Sequence, residues 1–381
     1  MKNKRSNTLK KLVAVVVFFA ICFALGILLG KVMVSILPED GSSEERLWNL
    51  FMMLLGLYVG MFLHIVIHEA GHLVCGLISG YTFVSFRIGG LMLFKRDGKY
   101  RFARYSLAGT AGQCLLSPPE LKDGKIPVTL YNLGGVLFNL LFSFVFALLI
   151  LVFPPYLDSF CLSFVAVGGI TALTNGIPMK TGTVNNDGSN AFHLLKDADA
   201  CRAFWLQLKI NALQMQGTRL ADMPAEWFER PAPEQWKNSM LATLWVLRCN
   251  WLSDQGLWER ADAEMKELLN ADSAIIGIHR QLLTLERCFC ALLRGSDPDG
   301  VLKEWNSRSL QKLQRAMKRF PMILRVQYAY ALLHEQNETL AEQKRAELEK
   351  ALASYPFAGE LAGERQWLPI IAERAKNRSM S

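Results

Sequence analysis

Four long apolar stretches in the first half of the chain limit what it can fold into. They run over residues 12–37, 50–77, 128–153 and 156–177. A helix needs about 20 consecutive, mostly apolar residues to cross the hydrocarbon core of a bilayer, and each stretch meets that length. Because lipid offers no hydrogen-bond partners to an open backbone, these stretches predict four transmembrane α-helices.

Charged residues around the stretches predict how the chain is oriented in the membrane. Basic residues precede the first stretch and dominate the loop 81–127, whereas the link after the first stretch is acidic. Since Lys and Arg accumulate on the cytoplasmic side, we expect both termini inside and the second helix running inward, in a bacterial plasma membrane. The stretch at 12–37 is long for a signal peptide and lacks a small-residue cleavage site, so it is interpreted as a retained anchor.

Net charge and cysteine spacing argue against a nucleic-acid-binding surface and against paired, oxidised cysteines. The formal net charge of +8 follows from the basic cytoplasmic segments. No basic stripe interleaved with aromatic residues occurs, so no nucleic-acid partner is expected. The eight cysteines form no CxxC pair and are expected to be reduced, packed thiols.

The second stretch contains His68, Glu69 and His72, which form the pattern HExxH. Residues four apart lie on the same face of a helix, so both imidazoles can bind one zinc ion. Glu69 is predicted to accept a proton from the zinc-bound water, as in HExxH metalloproteases. These polar side chains are costly to bury in a membrane unless they serve a site or a water-filled cavity. His64, one turn earlier, is expected to pack against or support the site rather than bind metal.

A catalytic zinc needs a third protein ligand and leaves its fourth position open to water. Candidates follow the fourth stretch, where Pro178 ends the helix and the sequence Asn-Asn-Asp-Gly at 185–188 favours a tight turn that directs a carboxylate inward. We predict Asp187 as the third ligand and one zinc ion per chain. The alternative ligands are His193, Asp197 and Asp199.

Taken together, these motifs resemble the site-2 protease family, whose members are intramembrane zinc metalloproteases. The resemblance covers residues 50–188. It rests on three elements in chain order: His68 to His72 in a membrane helix, Asn175-x-x-Pro178 after a later span, and Asp187-Gly188.

Two further features of the chain bear on this resemblance. Gly135 and Asn139 are similar to the family's Gly-Pro-x-x-Asn element, although Val136 takes the place of the proline. The eight residues between Pro178 and Asp187 form a longer gap than the family's most familiar form has. The resemblance implies that Asn139, and with it Asn175 and Pro178, positions the substrate.

The loop between the second and third stretches predicts a small cytoplasmic β-hairpin. Residues 82–88 and 100–107 are rich in β-branched and aromatic side chains and flank Asp97-Gly98, a strong turn signal. The resemblance implies that this hairpin presents the substrate as an added strand. The alternative is an ordinary cytoplasmic hairpin with no substrate role.

After Gly188 the apolar runs shorten and charges rise, which predicts a membrane domain at 1–188 and a cytoplasmic α-helical domain at 189–381. Two pairs of helices are expected there, at 241–252 with 258–269 and at 326–333 with 340–355. Their small and aromatic residues resemble degenerate tetratricopeptide repeats; the alternative is a generic helical domain. Either way, we expect it to bind a cytoplasmic protein partner.

The sequence thus predicts an α-helical polytopic membrane protein that acts as a zinc metalloendopeptidase. Its expected substrate is a membrane protein with a transmembrane segment, cleaved to release a membrane-tethered regulator or to process a peptide. The alternative from another class is a catalytically silent membrane scaffold with a structural zinc, which usually has four protein ligands. A transporter is a third interpretation, against which stands the absence of an evident internal repeat.

Overall fold

Three long apolar helices are present in the computed structural model, which describes residues 42–107, 109–181 and 184–379 together with Gly30. The helices α1 (Ser43–Ile78), α2 (Val128–Leu149) and α3 (Asp158–Gly176, preceded by a short 3-10 turn) are long and apolar enough to cross a membrane. They confirm the predicted helices at 50–77, 128–153 and 156–177. The predicted span at 12–37 lies outside the described residues.

Contacts between residues divide the chain into two units. Among the described residues, the first unit comprises those up to His72 together with Leu133–Ile177, and the second comprises Leu73–Asn132 together with those from Pro178 onward. The boundary at residue 188 that composition indicates stays a prediction.

Glycines allow the helices of the first unit to approach one another closely. A Cβ at Gly71 would lie 2.2 Å from the carbonyl oxygen of Gly134, and a Cβ at Gly56 would lie 2.5 Å from the carbonyl oxygen of Phe160. Small residues are the usual means of close helix packing in membranes, because they let backbones touch where no hydrophobic driving force acts between helices. This close packing brings side chains of α2 and α3 against the α1 turn that carries the histidines.

After the last residues of α1, the second unit contains a four-stranded antiparallel sheet. Its strands are β1 (Thr82–Ile88), β2 (Leu91–Arg96), β3 (Lys99–Arg104) and β4 (Gly112–Ser117), in the order β3-β2-β1-β4. Asp97 and Gly98 join β2 to β3 with φ values of 51° and 74°. Positive φ at both central residues is the mark of a type I′ hairpin turn, which matches the twist of the strands.

The predicted hairpin is therefore part of a larger sheet. The strand predicted at 82–88 is confirmed as β1, and so is the turn at Asp97-Gly98, but this turn joins β2 to β3 rather than β1 to β3. Sequence reasoning missed β2 because its apolar residues are mainly Leu and Met, which have no strong strand preference, and it missed β4, which opens with Gly112 and Gln113. Burial of apolar side chains stabilises both strands, since Met92 in β2 and Leu116 in β4 are almost fully buried.

Helices make up most of the rest of the second unit. A two-residue strand pair, β5 (Lys180–Thr181) and β6 (Val184–Asn185), comes first. The helices are α4 (Asp187–His193), α5 (Ala198–Gln216), α6 (Ser239–Asp254), α7 (Trp258–Asn270), α8 (Gly277–Arg294), α9 (Arg308–Ala316), α10 (Pro321–Leu333), α11 (Glu338–Ser354), α12 (Ala358–Arg365) and α13 (Trp367–Ser379). The predicted helical pairs correspond to α6 with α7 and to α10 with α11. Their descent from tetratricopeptide repeats stays a prediction.

Two apolar clusters join the sheet to these helices. In one, Leu116 of β4 packs with Leu206 and Ile210 of α5. In the other, Phe94 of β2 packs with Phe357, just before α12. The seven cysteines within the described part of the chain are buried and free of disulfide bonds.

Candidate metal centre

His68 and His72 lie one turn apart on α1, and their rings converge. Their Nε2 atoms are 3.1 Å apart, and the rings stand at 84° to each other. Two zinc–nitrogen bonds at a tetrahedral angle place the nitrogens about 3.3 Å apart, since each bond is about 2.0–2.1 Å long. The pair is therefore close to the spacing that one zinc ion requires.

Asp187 is the first residue of α4. The preceding residue, Asn186, caps that helix, because its Oδ1 accepts hydrogen bonds from the backbone N–H of Ser189 at 2.9 Å and of Met179 at 3.0 Å. The predicted tight turn is thus a helix N-terminus. Asn is among the preferred capping residues, and an acidic residue in the first turn complements the helix dipole.

One ligand atom from each of His68, His72 and Asp187 lies within 4.8 Å of the other two. Two imidazole nitrogens and one carboxylate oxygen form a donor set that suits zinc, and three protein ligands leave one coordination position for water or substrate. These are the three residues that the sequence predicted as ligands. The arrangement fits a metal ion by its spacing and by the chemistry of its donors.

The alternative ligands have other contacts in the second unit. The Nδ1 of His193 lies 2.7 Å from the carbonyl oxygen of Ser189 on its own helix. Asp197 caps α5 through the backbone N–H of Ala200, 2.9 Å away. Asp199 accepts a hydrogen bond from a side-chain amide at 3.0 Å. Within the described residues, none of the three joins the group formed by His68, His72 and Asp187.

Glu69 directly follows the first histidine ligand on α1 and is partly buried. In HExxH metalloproteases the carboxylate at this place is the general base, so Glu69 would accept a proton from water if the three ligands held a metal ion. The same carboxylic acid can then return the proton to a leaving amine.

The side chain of Asn139, on α2, lies between two histidines of α1. Its Oδ1 is 3.1 Å from the Nδ1 of His64, and its Nδ2 is 3.0 Å from the Nδ1 of His68. The Nε2 of His64 in turn lies 3.1 Å from the carbonyl oxygen of Phe164 on α3. Asn139 and His64 are both almost completely buried, at 0% and 1% exposure. Sequence reasoning predicted a substrate contact for Asn139 and missed its contact with His68, which joins residues 71 positions apart.

Gly135 lies one turn before Asn139 on the same face of α2. A Cβ at Gly135 would lie 2.5 Å from the Cε1 and Nδ1 atoms of His68 and 2.6 Å from its Nε2. The His68 ring therefore packs directly on the backbone of α2. Val136, which stands where the resemblance expects proline, faces Gly176, whose added Cβ would be 2.9 Å from a Val136 methyl group.

Asn175 and Pro178 lie at the end of α3. The side-chain amide of Asn175 donates to the carbonyl oxygen of Thr171 on its own helix, at 2.9 Å. The helix ends at Gly176, and Ile177 before the proline adopts an extended conformation. A residue that precedes proline is restricted to this region, so the predicted helix end is confirmed. The substrate-positioning roles of both residues stay predictions.

Comparisons of the chain with models of protein families, with curated protein sequences and with solved structures find no match.

Proposed function

We propose that the chain is an intramembrane zinc metalloprotease, which hydrolyses peptide bonds in or near the transmembrane segments of membrane proteins. The observation that carries this proposal is the grouping of one ligand atom from each of His68, His72 and Asp187 within 4.8 Å. Two of the three ligands, and the adjacent Glu69, belong to a helix that is long and apolar enough to cross a membrane. Such residues inside a membrane helix mark a functional site.

In this mechanism His68, His72 and Asp187 would hold one zinc ion, and Glu69 would accept and donate the protons. Zinc in such a site supplies a Lewis acid for the substrate carbonyl and lowers the pKa of water. Glu69 accepts a proton from the attacking water and delivers it to the leaving amine, which makes it the general base and then the general acid. The backbone of the substrate must be accessible for this reaction.

The substrate class follows from the setting of the site. A transmembrane helix satisfies its backbone groups by internal hydrogen bonds, so its peptide bonds are hidden until the helix unwinds. A substrate segment that contains Gly or Pro near the cleavage site unwinds at lower cost. We therefore propose substrates whose transmembrane segments contain such residues, in keeping with release of a membrane-tethered regulator or peptide processing.

The proposal includes a multi-pass location with both termini in the cytoplasm and a helical domain that binds a cytoplasmic protein. The rival function is a silent scaffold with a structural zinc. Structural zinc sites generally have four protein ligands. Among the described residues the group holds three, His68, His72 and Asp187. A three-ligand site favours the protease.

Zinc content tests the ligand assignment. The full chain is purified in detergent, and zinc per chain is measured for wild type, His68→Ala, His72→Ala and Asp187→Ala. We expect about one zinc in wild type and loss of metal in all three variants, because each supplies a ligand. His193→Ala is the matched control and retains zinc. A wild-type protein without bound zinc contradicts the proposal. If only the two histidine variants lose zinc, a residue other than Asp187 is the third ligand.

Cleavage tests the chemistry. Wild type and Glu69→Gln are reconstituted with a panel of single-span peptides that carry a Gly-Pro pair in the middle of the span, and products are identified by mass spectrometry. Gln cannot accept the proton, so we expect Glu69→Gln to retain zinc and lose cleavage. Cleavage at the wild-type rate by Glu69→Gln removes the assigned role of the carboxylate.

A further inference from the structure

Three helices of the first unit contribute to one buried chain of polar groups that ends at a proposed zinc ligand. This series of contacts runs from the carbonyl of Phe164 through His64 and Asn139 to His68, with distances of 3.1, 3.1 and 3.0 Å between neighbouring groups. The carbonyl oxygen can only accept a hydrogen bond, whereas each imidazole and the amide can donate at one end and accept at the other. The carbonyl therefore determines the direction of the other hydrogen bonds.

The first of these groups is the carbonyl oxygen of Phe164, which can only accept a hydrogen bond. The Nε2 of His64 lies 3.1 Å from it and must therefore carry the proton. His64 is buried in a long apolar helix, where it contacts the Asn139 amide and the carbonyl and ring of Phe164, so a positive charge on it would be costly. A neutral imidazole with a proton on Nε2 has a lone pair on Nδ1, which can only accept.

Asn139 must then turn its NH2 group toward the Nδ1 of His64. A half turn of the terminal amide exchanges its oxygen and nitrogen without moving the rest of the side chain, and the hydrogen-bond network decides between the two orientations. With the NH2 group toward His64, the amide oxygen faces the Nδ1 of His68, 3.0 Å from the amide. That nitrogen must carry the proton of His68.

The consequence falls on the other nitrogen of His68. A neutral His68 with its proton on Nδ1 has its lone pair on Nε2, the atom that lies 3.1 Å from the Nε2 of His72 in the metal group. In the opposite arrangement, His68 is protonated on Nε2 and has no lone pair there for a metal ion. The hydrogen bond from His64 to the Phe164 carbonyl therefore requires the His68 tautomer that has its lone pair on Nε2.

We propose that the Phe164 carbonyl, acting through His64 and Asn139, holds His68 in the tautomer whose Nε2 lone pair binds zinc. This inference rests on the proposed function, because it takes His68 as a zinc ligand. It makes His64 and Asn139 positioning residues. Partners of this kind fix ring orientation and tautomer in zinc sites and are worth about 10–100-fold in metal affinity.

The close packing of the helices keeps the chain of hydrogen bonds together. A Cβ at Gly168 of α3 would lie 2.3 Å from the Cε1 of His64, so only glycine leaves room for the ring to reach the Phe164 carbonyl. Gly135 of α2 does the same beneath His68. The contacts of His64 with α3 and of His68 with α2 thus lie where a glycine leaves room for the imidazole ring.

Zinc affinity of the full chain in detergent tests the proposal, measured by competition with a chelating dye. Asn139→Leu removes both hydrogen bonds, and we expect zinc to bind about 10–100-fold more weakly. Asn139→Asp keeps an oxygen that accepts from the Nδ1–H of His68, so its affinity stays within a few-fold of wild type. His64→Leu weakens binding by less than Asn139→Leu. The matched control is Ser143→Ala, one turn beyond Asn139, where a buried hydroxyl has no hydrogen-bond partner among the described residues.

A second measurement detects the tautomers in the wild-type protein, and variants serve only to assign its signals. The histidine rings of the zinc-free full chain are labelled with 15N, and the protonated nitrogen of each is identified by NMR, with His68→Ala and His64→Ala spectra used for assignment. We expect Nδ1–H on His68 and Nε2–H on His64. The proposal is overturned by Nε2–H on His68, by wild-type affinity in Asn139→Leu, or by equal loss in Asn139→Asp and Asn139→Leu.

These outcomes are distinct from failure of the proposed function. A chain that binds zinc with the expected tautomers but cleaves no peptide retains the positioning role and loses the protease assignment. A chain that cleaves peptides while Asn139→Leu binds zinc normally retains the protease assignment and loses the positioning role.

Discussion

Gly135→Ala tests whether the His68 ring must lie directly on the backbone of α2. The added Cβ would be 2.5 Å from two atoms of that ring, and ordinary van der Waals contact begins at 3.4 Å, so the ring must retreat by about 0.9 Å. Zinc–nitrogen bonds tolerate only about 0.2 Å of displacement. Movement of α2 instead would lengthen the 3.0 Å contact between Asn139 and His68. Either adjustment disturbs the ligand.

We therefore expect Gly135→Ala to bind zinc at least about tenfold more weakly than wild type, the lower end of the effect of losing a partner of a ligand. Cleavage should fall by about 100-fold, because a displacement of about 1 Å has that effect on a positioned group. Zinc affinity is measured by dye competition, and cleavage is measured with the single-span peptides at saturating zinc.

The matched control is Gly169→Ala, the same substitution in α3 at a glycine whose added Cβ meets nothing within 4 Å. Alanine is favoured over glycine in a helix by about 1 kcal/mol, so this variant should be as stable as wild type or more so, with unchanged zinc affinity. Thermal unfolding of both variants separates a local effect from loss of the fold. Wild-type zinc affinity in a folded Gly135→Ala protein would refute the reasoning.

Two further predictions concern buried charges in the helical part of the second unit. The side chain of Arg325 is 3% exposed and pairs with Glu286 and Glu364, so we expect Arg325→Met to lower the free energy of unfolding by about 3–5 kcal/mol in denaturant titrations. The control, Arg345→Met at an exposed ion pair, should change it by less than about 1 kcal/mol. Equal effects of the two substitutions would contradict the role of burial. Burial raises the pKa of Glu360 to about 8 from an ordinary 4.5, so the folded chain retains a proton that the unfolded chain loses, and this group's contribution to stability falls as the pH rises through that window. Glu360→Gln should flatten that dependence in unfolding curves between pH 4.5 and 8, and an unchanged slope would show that Glu360 is ionised in the folded chain.

The long apolar helices and the histidine pair could be predicted because each depends on local information. Lipid forces apolar stretches into helices, so length and composition suffice for α1, α2 and α3. The spacing of His68 and His72 determines their common face once the helix is known. Both inferences need only neighbouring residues in the sequence.

The contacts that organise the site are not local and could not be predicted in this way. Asn139 touches His68 across 71 positions, and no spacing rule connects them. The signal for Asn186 as a helix cap was present, since Asn precedes an acidic residue, but the same residues also favour a turn. Strand β2 was missed because its burial within the sheet outweighs the weak strand preference of Leu and Met.

The separation in sequence of the buried polar groups has a consequence for biogenesis. His64 finds its partners 75 and 100 residues later, on α2 and α3, which are synthesised after α1. Until those helices are synthesised, His64 cannot form these contacts, and under the proposed membrane location its cost in lipid must be offset by the many Leu, Val and Phe residues of α1. Under the proposed membrane location, insertion of α1 and assembly of the three helices are therefore separate stages, and the buried contacts of His64 form in the second.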